Sequence, residues 1–297
     1  MRIRMICMAI AVFVFFLVAV TAAAEDSCDE LIAEAEQLWS VNKFEESDKR
    51  LDKVIETCPE LAEPYWRKGR NILIKLEGIP RDQKPAKKEL IMLYSEIETL
   101  ADKCIEIDEN DGHCYFWKGI GMGRRATTQG VLKMLFMAED VENTWLKASD
   151  LGLTYQSEDG TVEAKCLNYY ALGMFYRLVP EWLCLFPLKQ IVGTCGDKKK
   201  SVEYQRKAVA CMQNGIGMYK ELAVSLLCYG QKYKKPEDVE EAKKILKNLQ
   251  SMPEKMQFDR IDKEHARMLL ADSSLACGYS RDKQQELSEE AYEKAKK

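Results

Sequence analysis

The stretch from Cys166 to Cys211 limits what this chain can become more than any other. Tyr170, Leu172, Gly173 and Tyr176 recur at helical spacing on its first flank, and Ser201, Tyr204 and Ala208 do so on its second. Two antiparallel helices, with a long insertion carrying Cys184 and Cys195 between them, satisfy that pattern. The rest of the chain varies the same unit. From Cys28, the stripe Leu31, Ala35, Leu38 leads through a turn at Val41–Lys43 to a second helix with Leu51, Val54 and Ile55 inward, and Pro59 ends it. A second unit opens at Ala62 with Tyr65, Trp66 and Gly69, is broken by a charged insertion over Gly78–Lys88, and closes near Cys104. A third runs from His113 to Met122 and from Gln129 to Leu151. A fifth runs from Met218 to Gly230 and from Pro236 to Met252, followed by helices over Asp259–Cys277 and 282–297. The expected fold is all-α without a sheet: a right-handed solenoid of about five hairpins over residues 25–281, with 282–297 as a polar capping helix.

The first 24 residues are a different object. Arg2 and Arg4 precede the apolar run Met5–Val20, and Ala22-Ala23-Ala24 offers a small-residue cleavage site. That is the pattern of a secretory signal peptide cut after Ala24, with a retained anchor as the alternative. Export to a periplasmic or extracellular compartment follows, with no stable membrane insertion after cleavage. Removal leaves 42 Lys and Arg against 48 Asp and Glu, a net charge of −6. An acidic chain without a basic stripe is poorly suited to nucleic acid, whose phosphates call for clustered cations.

Of 11 cysteines, Cys7 leaves with the signal and ten remain, as expected for disulfides in an oxidising compartment. Hairpin geometry selects the partners, because the start of a first helix and the end of the second lie at one end. Cys28 and Cys58 hold those places in the first unit, and Cys166 and Cys211 hold them in the fourth. Cys104 ends one helix and Cys114 begins the next; Cys184 and Cys195 close the apolar insertion; Cys228 and Cys277 are assigned to the ends of parallel helices.

Motifs for chemistry are sparse. Gly-Ile-Gly-Met-Gly at 119–123, followed by Arg124 and Arg125, lacks the preceding strand and the lysine of a phosphate loop and falls inside helical periodicity. It is read as close helix packing. His113 and His265 are the chain's two histidines, the first at a helix start and the second in a polar helix, and both are read as structural. No catalytic residue, no cofactor and no metal site is therefore expected, and the chain is not read as an enzyme.

The unit Cys28–Pro59 and the closing run Cys104-Ile105-Glu106-Ile107-Asp108 resemble tetratricopeptide repeats of about 34 residues. The insertion after Leu172-Gly173, with Pro180, Trp182 and then Gly196 before Ser201, is similar to two groups of such proteins: the regulator of microtubule dynamics family and the T-component of tripartite periplasmic transporters. That resemblance implies an all-α array of degenerate hairpins and motifs that are structural rather than catalytic.

In arrays of this kind the first helices line the concave face. Aromatic residues recur near the first helices of the second to fourth units, and Arg124, Tyr169, Arg177 and Trp182 are the candidate binding residues. The apolar insertion should fold back to fill a groove or line a site. Two functions stay open. One is an exported scaffold that binds a protein or peptide partner through its concave face. The other is a small-ligand-binding accessory of a periplasmic transport system, taking a small hydrophobic or anionic ligand. A hydrophobic through-channel or closed pocket beside the 180–196 insertion favours the second, and an open polar groove favours the first.

Overall fold

A computed structural model describes residues 28–79, 83–157, 163–213, 215–256 and 258–281. The expected signal peptide and its cleavage site, residues 80–82 of the charged insertion and the expected capping helix lie outside the described residues. Helix α1 covers 28–40. It is followed by α2 (Phe44–Thr57), α3 (Glu63–Glu77), α4 (Lys87–Ile107), α5 (Gly112–Gln129) and α6 (Val131–Leu151). Then come α7 (Ala164–Leu178), the short α8 (Leu188–Val192), α9 (Lys198–Cys211), α10 (Ile216–Lys232), α11 (Pro236–Asn248) and α12 (Asp259–Ala271). Among the described residues there is no β-strand, only an isolated bridge between Gln156 and Glu163. The protein is all-helical, and none of the described helices is long and apolar enough to cross a membrane.

Helices neighbouring in sequence pack on each other: α3 on α4, α5 on α6, α7 on α9 and α10 on α11, with α4 on α5 and α9 on α10 joining the pairs. Local chemistry sets the boundaries. The Asp111 carboxylate accepts from the His113 amide at the start of α5, and Asp197 accepts from Lys200 at the start of α9, each satisfying a donor left open by the first turn. Pro236 opens α11, where a missing amide hydrogen costs nothing. Gly130 separates α5 from α6 at φ +121°, a conformation that side-chain-bearing residues rarely adopt.

The glycine-rich run lies inside α5. A Cβ on Gly119 would stand 2.5 Å from the Trp145 indole nitrogen, and one on Gly121 would stand 3.0 Å from the Tyr94 carbonyl oxygen. These glycines let α5 approach α6 and α4 closely. A large apolar cluster spans α3 to α8, including Phe116, Trp117, Leu135, Trp145, Leu172 and Val192, and a second binds α10, α11 and α12.

Five disulfides are formed: Cys28–Cys58, Cys104–Cys114, Cys166–Cys211, Cys184–Cys195 and Cys228–Cys277, with Cα separations of 4.7 to 6.7 Å. The last pair forms for a different reason from the one expected. Cys228 sits within α10, and α12 stops at Ala271 instead of running to Cys277. Asp272 caps a 3-10 turn over Ser273–Ala276, which brings Cys277 to the side of α10.

The insertion between α7 and α9 folds back on the array and fills a groove along α6. Leu183 and Val192 are buried, the Thr194 hydroxyl donates to Glu142, and the Glu139 carboxylate occupies the space beside Gly193. Its base is held by Glu181, which accepts from the Lys198 amide at 2.8 Å and pairs with Lys232 at 2.6 Å.

Candidate functional site

Helices α1, α3, α5, α6, α7 and α10 line a partly open cavity of about 220 Å³. First helices form most of its wall: Trp39 from α1, Leu73 and Ile74 from α3, Ile120 from α5, and Ala171 and Met174 from α7. Behind them Met134, Ala138 and Val141 of α6 show through, at the place where glycines keep α5 thin. Gly215 to Met218 at the start of α10 complete one side, and Lys255, Met256, Phe258, Asp259 and Arg281 close another. Apolar side chains dominate this wall, and a small set of charged ones punctuates it. That is the general composition of a ligand pocket, though the volume is at the small end.

Two charged networks frame the cavity. In the first, Glu36 of α1 receives both Arg67 and Arg70 of α3, and the Tyr155 hydroxyl donates to it at 2.8 Å. Arg70 lies 4.1 Å from the Trp39 ring centroid, so its guanidinium is sandwiched between a carboxylate and a π-face. Burial raises the pKa of the Glu36 carboxyl, but the two arginines and Tyr155 outweigh that and leave it below its usual value. The Tyr155 phenol is pushed up to about 12, first by burial and then by Glu36.

The second network links five helices and Arg281. Glu77 at the end of α3 pairs with Arg124 of α5 and with Arg281, which is 204 residues away in the chain. Arg281 donates from Nη2 to both carboxylate oxygens of Asp262 of α12, at 2.6 and 2.7 Å, and from Nε to one of them at 3.1 Å. Asp262 accepts from Lys220 of α10 at 2.6 Å, Lys220 also pairs with Glu221 at 3.2 Å, and Glu221 pairs with Arg177 of α7 at 2.9 Å. Burial alone raises the Glu77 pKa, yet Arg124, Arg281 and Lys84 together hold it at about 2. The same balance lowers Asp262 and lifts Lys220 and Arg281 well above their ordinary values: burial opposes ionisation, and the opposite charges win. Each of these groups is charged in the folded protein at neutral pH.

The four candidate binding residues fall in four different settings. Arg124 stands on the cavity wall with its guanidinium on Glu77. Arg177 is fully buried: besides Glu221, it donates to the carbonyls of Ala276 and Tyr279 at 3.2 and 2.8 Å, holding the C-terminal turn. Tyr169 stacks near Tyr204 on the α9 side, with Lys207 over its ring. Trp182 packs against the large cluster at the root of the insertion. Tyr169, Arg177 and Trp182 are therefore not cavity-lining residues. Helical spacing places a residue on a helix without saying which side it faces, and Trp182 packs against the apolar cluster at the root of the insertion.

Residues that the sequence reading passed over do more here. Glu36, Arg70, Glu77 and Arg281 carry the polar framework, and only the Trp66-Arg67…Arg70 clustering on α3 gave any local sign of it. His113 is structural: Nδ1 meets Asp111 at 2.6 Å, Nε2 accepts the Tyr155 amide at 3.0 Å, and the ring stacks on Trp66. His265 meets the Tyr279 hydroxyl at 2.8 Å, and burial, followed by Lys220, lowers its pKa. Two groups have metal-like donor spacing, Cys104 with Asp111 and Cys114, and Glu163 with Cys166 and Cys211. In both, the two sulfurs are bonded to each other and so are not thiolate donors.

No family model matches the sequence, and no curated protein matches it. Among solved structures the chain is similar to the crystal structure of MamA protein, at 13% identity and a TM-score of 0.41, over 75% of this chain and 93% of that one. A likeness of that size carries no argument about what this chain binds.

Proposed function

We propose that this chain is an exported, tetratricopeptide-like helical-repeat binding protein that takes a small, largely apolar ligand into the cavity on its concave side. The reading is one of binding, not catalysis. The apolar cavity carries it: about 220 Å³ of space walled by the first helices and edged by Lys255, Met256, Phe258, Asp259 and Arg281. Arg70, Glu77, Arg124 and Arg281 at its edge are ion-paired within the protein and Asp259 accepts from two backbone amides, so the ligand's apolar body supplies most of the favourable transfer free energy.

The clasp of Glu77, Arg281 and Asp262 weighs against an extended peptide as occupant. A strand or helix laid along the inner face would have to pass between α3 and α12, where Arg281 bridges the two. Separating those ions leaves buried charges without partners, which costs several kcal/mol. A scaffold that docks a whole protein partner on this face would have to displace the same bridge. Export is supported by five disulfides, which persist in oxidising compartments.

Native mass spectrometry of protein purified from its source under non-denaturing conditions tests the proposal. The expected result is a mass excess of a few hundred daltons, on the order a cavity of this kind holds, removed by organic solvent. Protein that carries no adduct and takes up none from a panel of apolar compounds, yet co-purifies with a polypeptide, would return the scaffold reading to first place.

A further inference from the structure

The cavity leaves one apolar feature of the sequence unused. From Trp182 to Gly196 the insertion contains no acidic residue and a single base, Lys189. Part of it belongs to the core, since Leu183 and Val192 are buried. The remainder is turned outward: Leu185 is 64% exposed, Phe186 80% and Ile191 64%. These three fall within seven residues, on a loop closed by Cys184–Cys195 and rooted by Leu183 and Val192, so they cannot turn inward without undoing that root. Phe136, 64% exposed, lies on α6, which packs against α8, one turn before Glu139 at Gly193.

We propose that this disulfide-closed loop is a membrane-contact tip, with Leu185, Phe186 and Ile191 entering the interfacial region of a lipid bilayer and Lys189 remaining among the headgroups. Area and charge decide between a bilayer and a protein. The three side chains expose on the order of 400 Å² together. A protein partner of standard size buries about 800 Å² of mixed surface on each side and makes about ten hydrogen bonds, whereas the exposed stretch 184–191 offers only Lys189 and Gln190 as polar side chains. A bilayer needs no complementary surface and is entered by a small convex apolar tip. Lys189 can extend its ammonium to lipid phosphate while its stem lies in the apolar zone, and no carboxylate between Trp182 and Gly196 opposes anionic headgroups. Such contact is peripheral and reversible.

Hydrogen exchange of the full chain, with and without vesicles of phosphatidylcholine and phosphatidylglycerol, localises the contact whatever the N-terminal segment does. Vesicles should slow exchange across 185–191. The triple variant L185S/F186S/I191S should lose that protection and, in flotation, bind at least about tenfold more weakly, a loss of 1.4 kcal/mol or more. Its far-UV circular dichroism should be unchanged. Unaltered exchange at 185–191 in the presence of vesicles would overturn the proposal. Protection that instead rises with protein concentration in the absence of lipid would overturn it too, in favour of self-association.

Discussion

The concave cavity and the outward loop are both apolar in sequence, yet they handle water in opposite ways. Around the cavity, Phe116, Trp117 and Trp145 are buried and charged residues stand at the edge, so most of the apolar surface is withdrawn from bulk water. On the loop, Phe186 is held out at 80% exposure on a disulfide-closed frame. What separates them is connection. The cavity's edge depends on Arg281 reaching Glu77 across 204 residues, whereas the exposed part of the loop is closed by the local Cys184–Cys195 disulfide, and its base meets α6 through Thr194 on Glu142 and Gly193 beside Glu139. Apolar residues tied locally can be displayed; those that enclose a space need long-range partners.

Breaking that long-range partner should have the largest effect. Glu77→Gln leaves Arg124 and Arg281 buried without their shared carboxylate and is expected to destabilise the protein by about 3–5 kcal/mol. Denaturant unfolding measures it, and faster exchange in residues 258–281 should show the mouth loosening first. A loss under about 1 kcal/mol would mean that Glu77 does not tie the C-terminal segment down.

On the loop side, replacing Cys184 and Cys195 together by serine frees a short loop and should cost about 3 kcal/mol at most, by the entropy of loop closure. Helicity should survive, because α6, α7 and α9 keep their own contacts. Collapse of the whole fold would show that the loop is as deeply connected as the cavity wall.

Acid separates the regions again. The Glu77 carboxyl is held at about 2 against an ordinary 4.5, so its folded-state pKa is depressed. Its contribution is fully present above pH 4.5 and is lost as pH falls toward 2, on the order of 3 kcal/mol in all. Acid unfolding of Glu77→Gln should lack this component. The loop contains no carboxyl between Trp182 and Gly196, and its own contacts should not follow that titration.

The smallest effect is expected at Phe186. Its side chain touches little in the folded protein, so Phe186→Ser should change unfolding free energy by no more than about 0.5 kcal/mol. A larger loss would place Phe186 in the packing of α6 and weaken the case for a displayed tip.

Sequence alone carried the local half of this contrast. Helix positions, the inward stripes and the places of Cys28, Cys58, Cys166 and Cys211 could be read because each depends on neighbours within one hairpin. The insertion's fold-back onto the array could be read from its composition. The cavity's polar frame could not. Glu77 and Arg281 are 204 residues apart and look like ordinary surface charges, and nothing near Arg177 indicates that it braces the carbonyls of Ala276 and Tyr279. Cys228–Cys277 shows the same limit, since it depends on where α12 breaks.

Filling the cavity tests the central claim most directly. Ile120→Trp and Met174→Trp each push an indole into the space between α5 and α7, at a packing cost of about 1–3 kcal/mol. Binding of N-phenyl-1-naphthylamine, followed by its fluorescence, compares these variants with the wild type. The account predicts saturable binding to the wild-type protein and at least about a tenfold loss in both variants, with circular dichroism and all five disulfides retained. Equal binding by the wild type and both folded variants would place the apolar site elsewhere and contradict it.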